Sequence, residues 1–351
     1  MAQGSASLVN RRGGGVSTDR RGDHRAERVV DDSGRPCASR HGRHLAAALT
    51  AAVGLAGCAS GATASPGVES SSVSPSISGP MRAASAPPTV TVTLANCGAA
   101  VDVSALHAVH HFTVSPDDIA VDSAGRLWLS AREANLLISL NPDGSRITTQ
   151  TVAGGPEGIA INPSGMYVAQ QNLNAIAAVT PRPGTLVTFP NRTANVGIDG
   201  IASDAATRRL LVPDSPTGQL FAVPLTGPAT PQLIATNLGR PVAATTDLAG
   251  DIMVASESSP GLIVLTPTGA RRSLGRFADL DEVVAYAGLL YVTELDRHDV
   301  VAVDPMSGAS VPIAVNLPAP QGLAVTAAGT LEIVDATTKT LYSMPACGAG
   351  L

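Results

Sequence analysis

A chain of 351 residues with a net charge of −5 and no cluster of Lys and Arg in its C-terminal two thirds lacks the electrostatic footprint of a nucleic-acid binder. Aromatic residues make up only 3 % of it, which removes the usual stacking platforms for bases and sugars. Ala, Val, Gly, Thr and Pro dominate instead, as suits short strands and tight turns.

Residues 1 to 39 are rich in Gly, Arg and Asp, show no apolar period and cannot build a core. Arg40 to His44 is basic, and Leu45 to Gly57 is a run of thirteen small and apolar residues. That run is too short to span a bilayer but suits the apolar region of a signal peptide. It ends in Leu55-Ala56-Gly57-Cys58, which resembles a bacterial lipobox. The resemblance implies cleavage before Cys58, diacylglycerol on its thiol and a lipid anchor on the outer side of the cell membrane. An ordinary signal peptide with an incidental cysteine is the alternative. The long stretch before the basic residues reads as an over-extended start, with initiation nearer Val29 or Val30. Residues 1–57 are therefore a signal region. Residues 58–89, rich in Ser, Ala, Gly and Pro, are a tether, and 90–351 are the folded domain.

The first repeat is Pro116 to Gly144. Ile119-Ala120-Val121 reads as a strand, Asp122 to Gly125 as a turn, and Leu127-Trp128-Leu129 as a second strand. Leu136 to Leu140 is a third, Asn141 to Gly144 a turn, and Ile147 to Val152 a fourth. The pattern returns at Pro156-Glu157-Gly158-Ile159, Ile198-Asp199-Gly200-Ile201, Pro241, Asp281-Glu282-Val283 and Pro320-Gln321-Gly322-Leu323. Anchors at Ile119, Ile159, Ile201, Ala244, Val283 and Leu323 are spaced 40, 42, 43, 39 and 40 residues apart. A period near forty with four strands per unit predicts an all-β, six-bladed β-propeller of four antiparallel strands per blade. Alanine follows the anchor at 120, 160, 202 and 324, where inner strands crowd toward an axis.

The last unit supplies only three strands of its own. Its outer strand should come from the N-terminal side, around Val109 to Val114, which hides an exposed sheet edge. Cys37 leaves with the signal, and Cys97 and Cys347 flank the first and last blades. Ring closure in an oxidising compartment predicts a Cys97–Cys347 disulfide, worth about 5 kcal/mol in the chain-entropy account. Metal ligation by these two needs more soft ligands than lie nearby.

The pattern Pro-x-x-Ile-Ala-Val-Asp-x-x-Gly-x-Leu-Trp at 116 to 128, closed by Asn-Pro-Asp-Gly, resembles the blades of NHL and gluconolactonase or senescence-marker-type six-bladed propellers over residues 116 to 344. That likeness specifies fold more than activity. In such a fold, the loops entering first strands and those joining second to third strands share one face. Here that face is acidic, and Asp117, Glu157, Asp199, Glu257, Asp281, Glu294, Gln321 and Asp335 are its candidate ligand-binding residues. In calcium-dependent lactonases, side chains at blade entrances bind the metal, and by resemblance Glu157 and Asp199 would be the calcium ligands here. Asparagine is absent from these entrances, the fourth blade offers Val242, and no general base is assignable. His107, His110 and His111 enter a strand on alternating faces and read as surface residues.

The expected function is a membrane-anchored envelope lipoprotein, a monomeric propeller binding an unknown protein or small-molecule ligand through its acidic face. Its other partner is membrane lipid through Cys58, with no nucleic acid. The alternative is a calcium-dependent lactonase or esterase-type hydrolase, and a third reading is a structural component with no ligand.

Overall fold

A computed structural model describes residues 92–349 apart from 191–196, 248, 259 and 278. The signal region, Cys58 and the tether before Val92 lie outside the described residues.

Six four-stranded antiparallel units follow one another along the chain, as the forty-residue period requires. In the first blade the strands are Ile119–Val121, Leu127–Ala131, Leu136–Leu140 and Thr148–Thr151, hydrogen-bonded in that order from axis to rim. The second, third, fourth and fifth blades occupy 156–188, 202–235, 241–273 and 280–315. Among the described residues, helix is confined to three single-turn 3₁₀ segments, Leu94–Asn96, Val103–Ala105 and Gln171–Leu173. Turn chemistry sets the hairpins: Gly125 (φ +78°) and Gly144 (φ +76°) take the left-handed conformation that their turns need.

Five of the six anchors are equivalent in space as well as in sequence, and the remaining one, Ile201, stands one residue before its strand Ala202–Asp204. Ile119 pairs with Leu129, Ile159 with Val168, Ala244 with Val254, Val283 with Val292 and Leu323 with Ile333. Each partner lies two residues before the end of its blade's second strand. Side chains on the two faces of a strand then pack against different neighbours. Leu127 and Leu129 meet Val334 and Leu341 of the sixth blade, while Trp128 packs with Val168 and Val179 of the second. Each fully buried Leu contributes about 1.5–3 kcal/mol, so most of the stability lies between blades.

The sixth blade, Pro320–Val325, Thr330–Asp335 and Thr340–Pro345, takes its outer strand from the N-terminal side, at His107–His111. The expected stretch was centred two to three residues later. Val109, Phe112 and Val114 do pack into the core between the last and first blades. A bulge between Ala108 and His110, and a bond from Phe112 N to the Lys339 carbonyl (2.8 Å), take the chain out of the ladder after His111. Two residues further upstream, Val101–Asp102, add a short parallel strand to the outer edge of the fifth blade. Cys97 and Cys347 are disulfide-bonded with Cα atoms 4.4 Å apart, joining residues 250 apart in sequence.

Candidate functional site

Two rings of residues surround the axis where the first strands begin. The position directly before each anchor carries Asp118, Gly158, Gly200, Ala243, Glu282 and Gly322, taking blades in order. One residue earlier stand Asp117, Glu157, Asp199, Val242, Asp281 and Gln321. The glycines are there for contact between neighbouring blades. A Cβ on Gly158 would lie 2.5 Å from Gly200 Cα and Ile201 N, and one on Gly322 would lie 2.8 Å from Asp117 O. Their amides tie the ring together: Gly158 N donates to Asp199 O (3.2 Å), Gly200 N to Val242 O (2.7 Å) and Gly322 N to Asp117 O (3.0 Å). In the first blade the carboxylate of Asp118 does the same work. It accepts from Ile159 N of the second blade at 2.7 Å and from Ile119 N at 2.6 Å.

The two rings enclose a throat of about 20 Å³, room for one water-sized group, lined by Asp117, Asp118, Glu157, Asp199, Asp281 and Glu282. Below it a channel of about 470 Å³ runs between the inner strands. The cation facing this cluster is Arg132, whose Nη1 donates to Glu157 Oε1 (3.2 Å) and Gln171 Oε1 (3.0 Å). Gln171 Nε2 in turn donates to Asp199 Oδ1, and Ser215 Oγ donates to Asp199 Oδ2 and lies 2.6 Å from the Pro241 carbonyl. Glu157 Oε2 is buried without a partner.

Asp117, Asp118, Glu157, Asp281 and Glu282, crowded into so small a space, resist ionisation. Burial, with help from Asp199 and Glu133 and against the pull of Arg132, pushes Asp117 up to about 6. Burial also lifts Asp118 to about 7, although the amides of Ile159 and Ile119 favour its charged form. Glu157 is raised well above the usual carboxylate range, first by burial and then by Asp199 and Asp117. Asp281 and Glu282 rise for the same reasons, Asp281 against Asp117 and Asp199, Glu282 against Asp118. At neutral pH this site holds protons that ordinary carboxylates would have lost.

Of the eight residues expected on the binding face, Asp117, Glu157, Asp199 and Asp281 meet at the throat. Asp335 is fully buried, its Oδ2 accepting from Ala319 N (2.8 Å) and its Oδ1 from Thr338 N (2.7 Å), so it caps turns. Glu257 pairs with Arg240 away from the axis. Glu294 is buried at the end of a second strand, 3.8 Å from Arg297. Gln321 contributes its carbonyl, which accepts from Thr293 Oγ1 (3.1 Å) and links the fifth and sixth blades. Asp118 and Glu282, outside the eight, complete the throat, and Ser215 beside Asp199 left no signal, because a serine in a turn carries no pattern. Among the described residues, no group of three or more His, Cys, Asp and Glu side chains converges as a metal shell. His111 Nδ1 instead meets Thr340 Oγ1 at 2.8 Å, and the His110 ring packs tilted against Phe112.

The chain matches no protein-family model and no curated protein sequence. Solved structures share its fold. A gluconolactonase from Xanthomonas campestris aligns with TM-score 0.59 at 13 % identity, over 68 % of this chain and 88 % of that one. A putative gluconolactonase aligns with TM-score 0.58 at 12 % identity, over 70 % and 93 %. The structure of a nidogen/laminin complex aligns with TM-score 0.56 at 19 % identity, over 61 % and 86 %. Identities this low establish the propeller fold alone.

Proposed function

We propose that this protein is a lipid-anchored binding module of the bacterial envelope whose throat captures the ammonium group of a small ligand or protein partner. The carrying observation is the convergence of Asp117, Asp118, Glu157, Asp199, Asp281 and Glu282 around one water-sized space, opposed by Arg132. A cation entering there replaces protons, so binding releases protons and strengthens as pH rises through 6 to 7, where Asp117 and Asp118 titrate. The acyl group on Cys58 would hold the module at the membrane surface.

The test uses thermal unfolding with n-butylammonium chloride and, separately, calcium chloride, at pH 5 and pH 8 and matched ionic strength. A ligand that binds the folded state raises its midpoint. The ammonium should raise it more at pH 8 than at pH 5, and Asp281→Asn should abolish the rise. If it gives no shift at either pH, the reading fails.

A calcium-dependent lactonase or esterase is the second reading. It draws support from the likeness in fold to gluconolactonases and from Asp117 and Asp118, carboxyls titrating near neutrality as a general base would. The donors do not fit the metal. Both oxygens of Asp199 are taken by Gln171 and Ser215, and one oxygen of Glu157 is held by Arg132. A hard cation asks for six to eight oxygens. Calcium is therefore expected to leave the midpoint unchanged, and a calcium-dependent rise would put the lactonase reading first.

A further inference from the structure

Two blades depart from the small-residue rule at the axis. Where the second, third, fourth and sixth carry Gly158, Gly200, Ala243 and Gly322, the first carries Asp118 and the fifth Glu282. These blades are separated by the sixth, so the two side chains approach each other through the space that the small residues leave open. Their side chains face one another across a throat with room for one water-sized group. Both residues line the throat above and the 470 Å³ channel below, so the pair stands between the two spaces.

The backbone is built to hold them there. Asp118 N donates to Ser130 Oγ (3.0 Å) and Glu282 N donates to Thr293 Oγ1 (2.9 Å). Ser130 and Thr293 occupy the same place, next to the end of their second strands, and both are fully buried. The other four blades put Ala169, Pro213, Ala255 and Val334 there, so the hydroxyl accompanies the acid. Asp118 spends one oxygen on Ile159 N and the other on Ile119 N, while Glu282 Oε1 accepts from Val283 N at 2.7 Å. Two carboxyl groups facing one another across so small a space favour holding one proton between them, and Glu282, with only Oε1 engaged by an amide, is the one placed to donate it.

We propose that Asp118 and Glu282 form a proton-locked septum across the propeller axis, closed while they share one proton and opened to water and small cations when that proton leaves. Like charges in contact repel, and every neighbour reinforces the effect. Asp117 faces the pair from the first blade, Glu157 from the second, Asp199 from the third and Asp281 from the fifth, while the fourth and sixth present Val242 and Gly322. Arg132, the cation on this side, is engaged by Glu157 and Gln171. The same two acids line the throat proposed to take the cation, and amide exchange in the absence of any ligand reads the septum separately from that binding.

Amide hydrogen exchange, corrected for intrinsic rate, tests it between pH 5 and pH 9. The reporters are the N–H groups of Ile119, Ile159 and Val283, which end on the two carboxyls. The control is Gly200 N–H, which ends on a backbone carbonyl. Opening by loss of one proton predicts that reporter protection falls about tenfold per pH unit once the pair titrates, while the control holds. In Glu282→Gln, which keeps a donor and cannot titrate, reporter protection should stay level. Wild-type reporters that stay level, or that fall together with Gly200, overturn the proposal without recourse to any variant. A Glu282→Gln profile that tracks the wild type overturns it as well.

Discussion

Glu332 offers a clean measurement of what burial costs in this fold. It sits in the second strand of the sixth blade, 3 % exposed, with Oε2 unpartnered. It pairs with Ala324 on one side and Ser343 on the other, on the strand face that Val334 presents to the first blade. Burial alone lifts it from 4.5 to about 7, with no charged neighbour contributing. Between those values the folded protein keeps a proton that the unfolded chain has lost, so stability falls as pH rises, by about 1.4 kcal/mol per unit. Over the whole window the loss is about 3 kcal/mol, complete once pH exceeds the folded value. Glu332→Gln keeps the shape and removes the ionisation. Any constant offset from the buried amide drops out when the difference between variant and wild type is followed against pH. Urea unfolding at pH 4.5, 6, 7 and 8.5 should show the variant gaining about 3 kcal/mol on the wild type across the series, or roughly 6–12 °C in midpoint. The acids of the throat act in both proteins and cancel. Parallel profiles would refute the reasoning, since Glu332 would then ionise in the fold as easily as in water.

The throat carries the same sign. Asp117 and Asp118, raised from 3.8, lower stability as pH climbs from about 4 to 7, whereas hydrogen bonds hold Asp122 and Asp204 low despite their partial burial and favour folding above pH 4. The melting temperature should therefore peak on the acid side, near pH 4 to 5, and a maximum above pH 7 would contradict this accounting. Gly158→Ala should destabilise by about 1–3 kcal/mol, because the new methyl meets backbone of the next blade, while Gly98→Ala, with open space around it, should be nearly neutral in the same melts. Replacing Cys97 and Cys347 by serine should cost about 2–5 kcal/mol, and dithiothreitol should lower the wild-type midpoint by a similar amount while leaving the variant unmoved.

The architecture was legible because the repeat makes its own alignment. Five of the six anchors proved to be register-equivalent in the sheets, down to the partner two residues from the strand end. The donated outer strand was legible in kind but misplaced. Apolar spacing marked Phe112 and Val114, which do pack inward, whereas strand limits follow the ladder with Thr340–Pro345. The two-residue strand Val101–Asp102 is too short to leave a pattern. At the site, acids on the correct face were readable, but exposure was not. Asp335 and Glu294 share the chemistry of Asp199 and Asp281 and are spent inside the blades. The meaning of Gly158, Gly200 and Gly322 was also hidden. They permit contact with the adjoining blade, a demand that originates some forty residues away along the chain.

The bond between Cys97 and Cys347 also decides how the domain bears load and damage. A pull arriving from the residues before Val92 reaches Cys97 first and passes to Cys347, so the strand His107–His111 is spared from being peeled off the rim. Within the 250 residues it spans, a single protease cut in any surface loop leaves two pieces still covalently joined. A nicked domain of this kind can keep its shape long after its backbone has been broken.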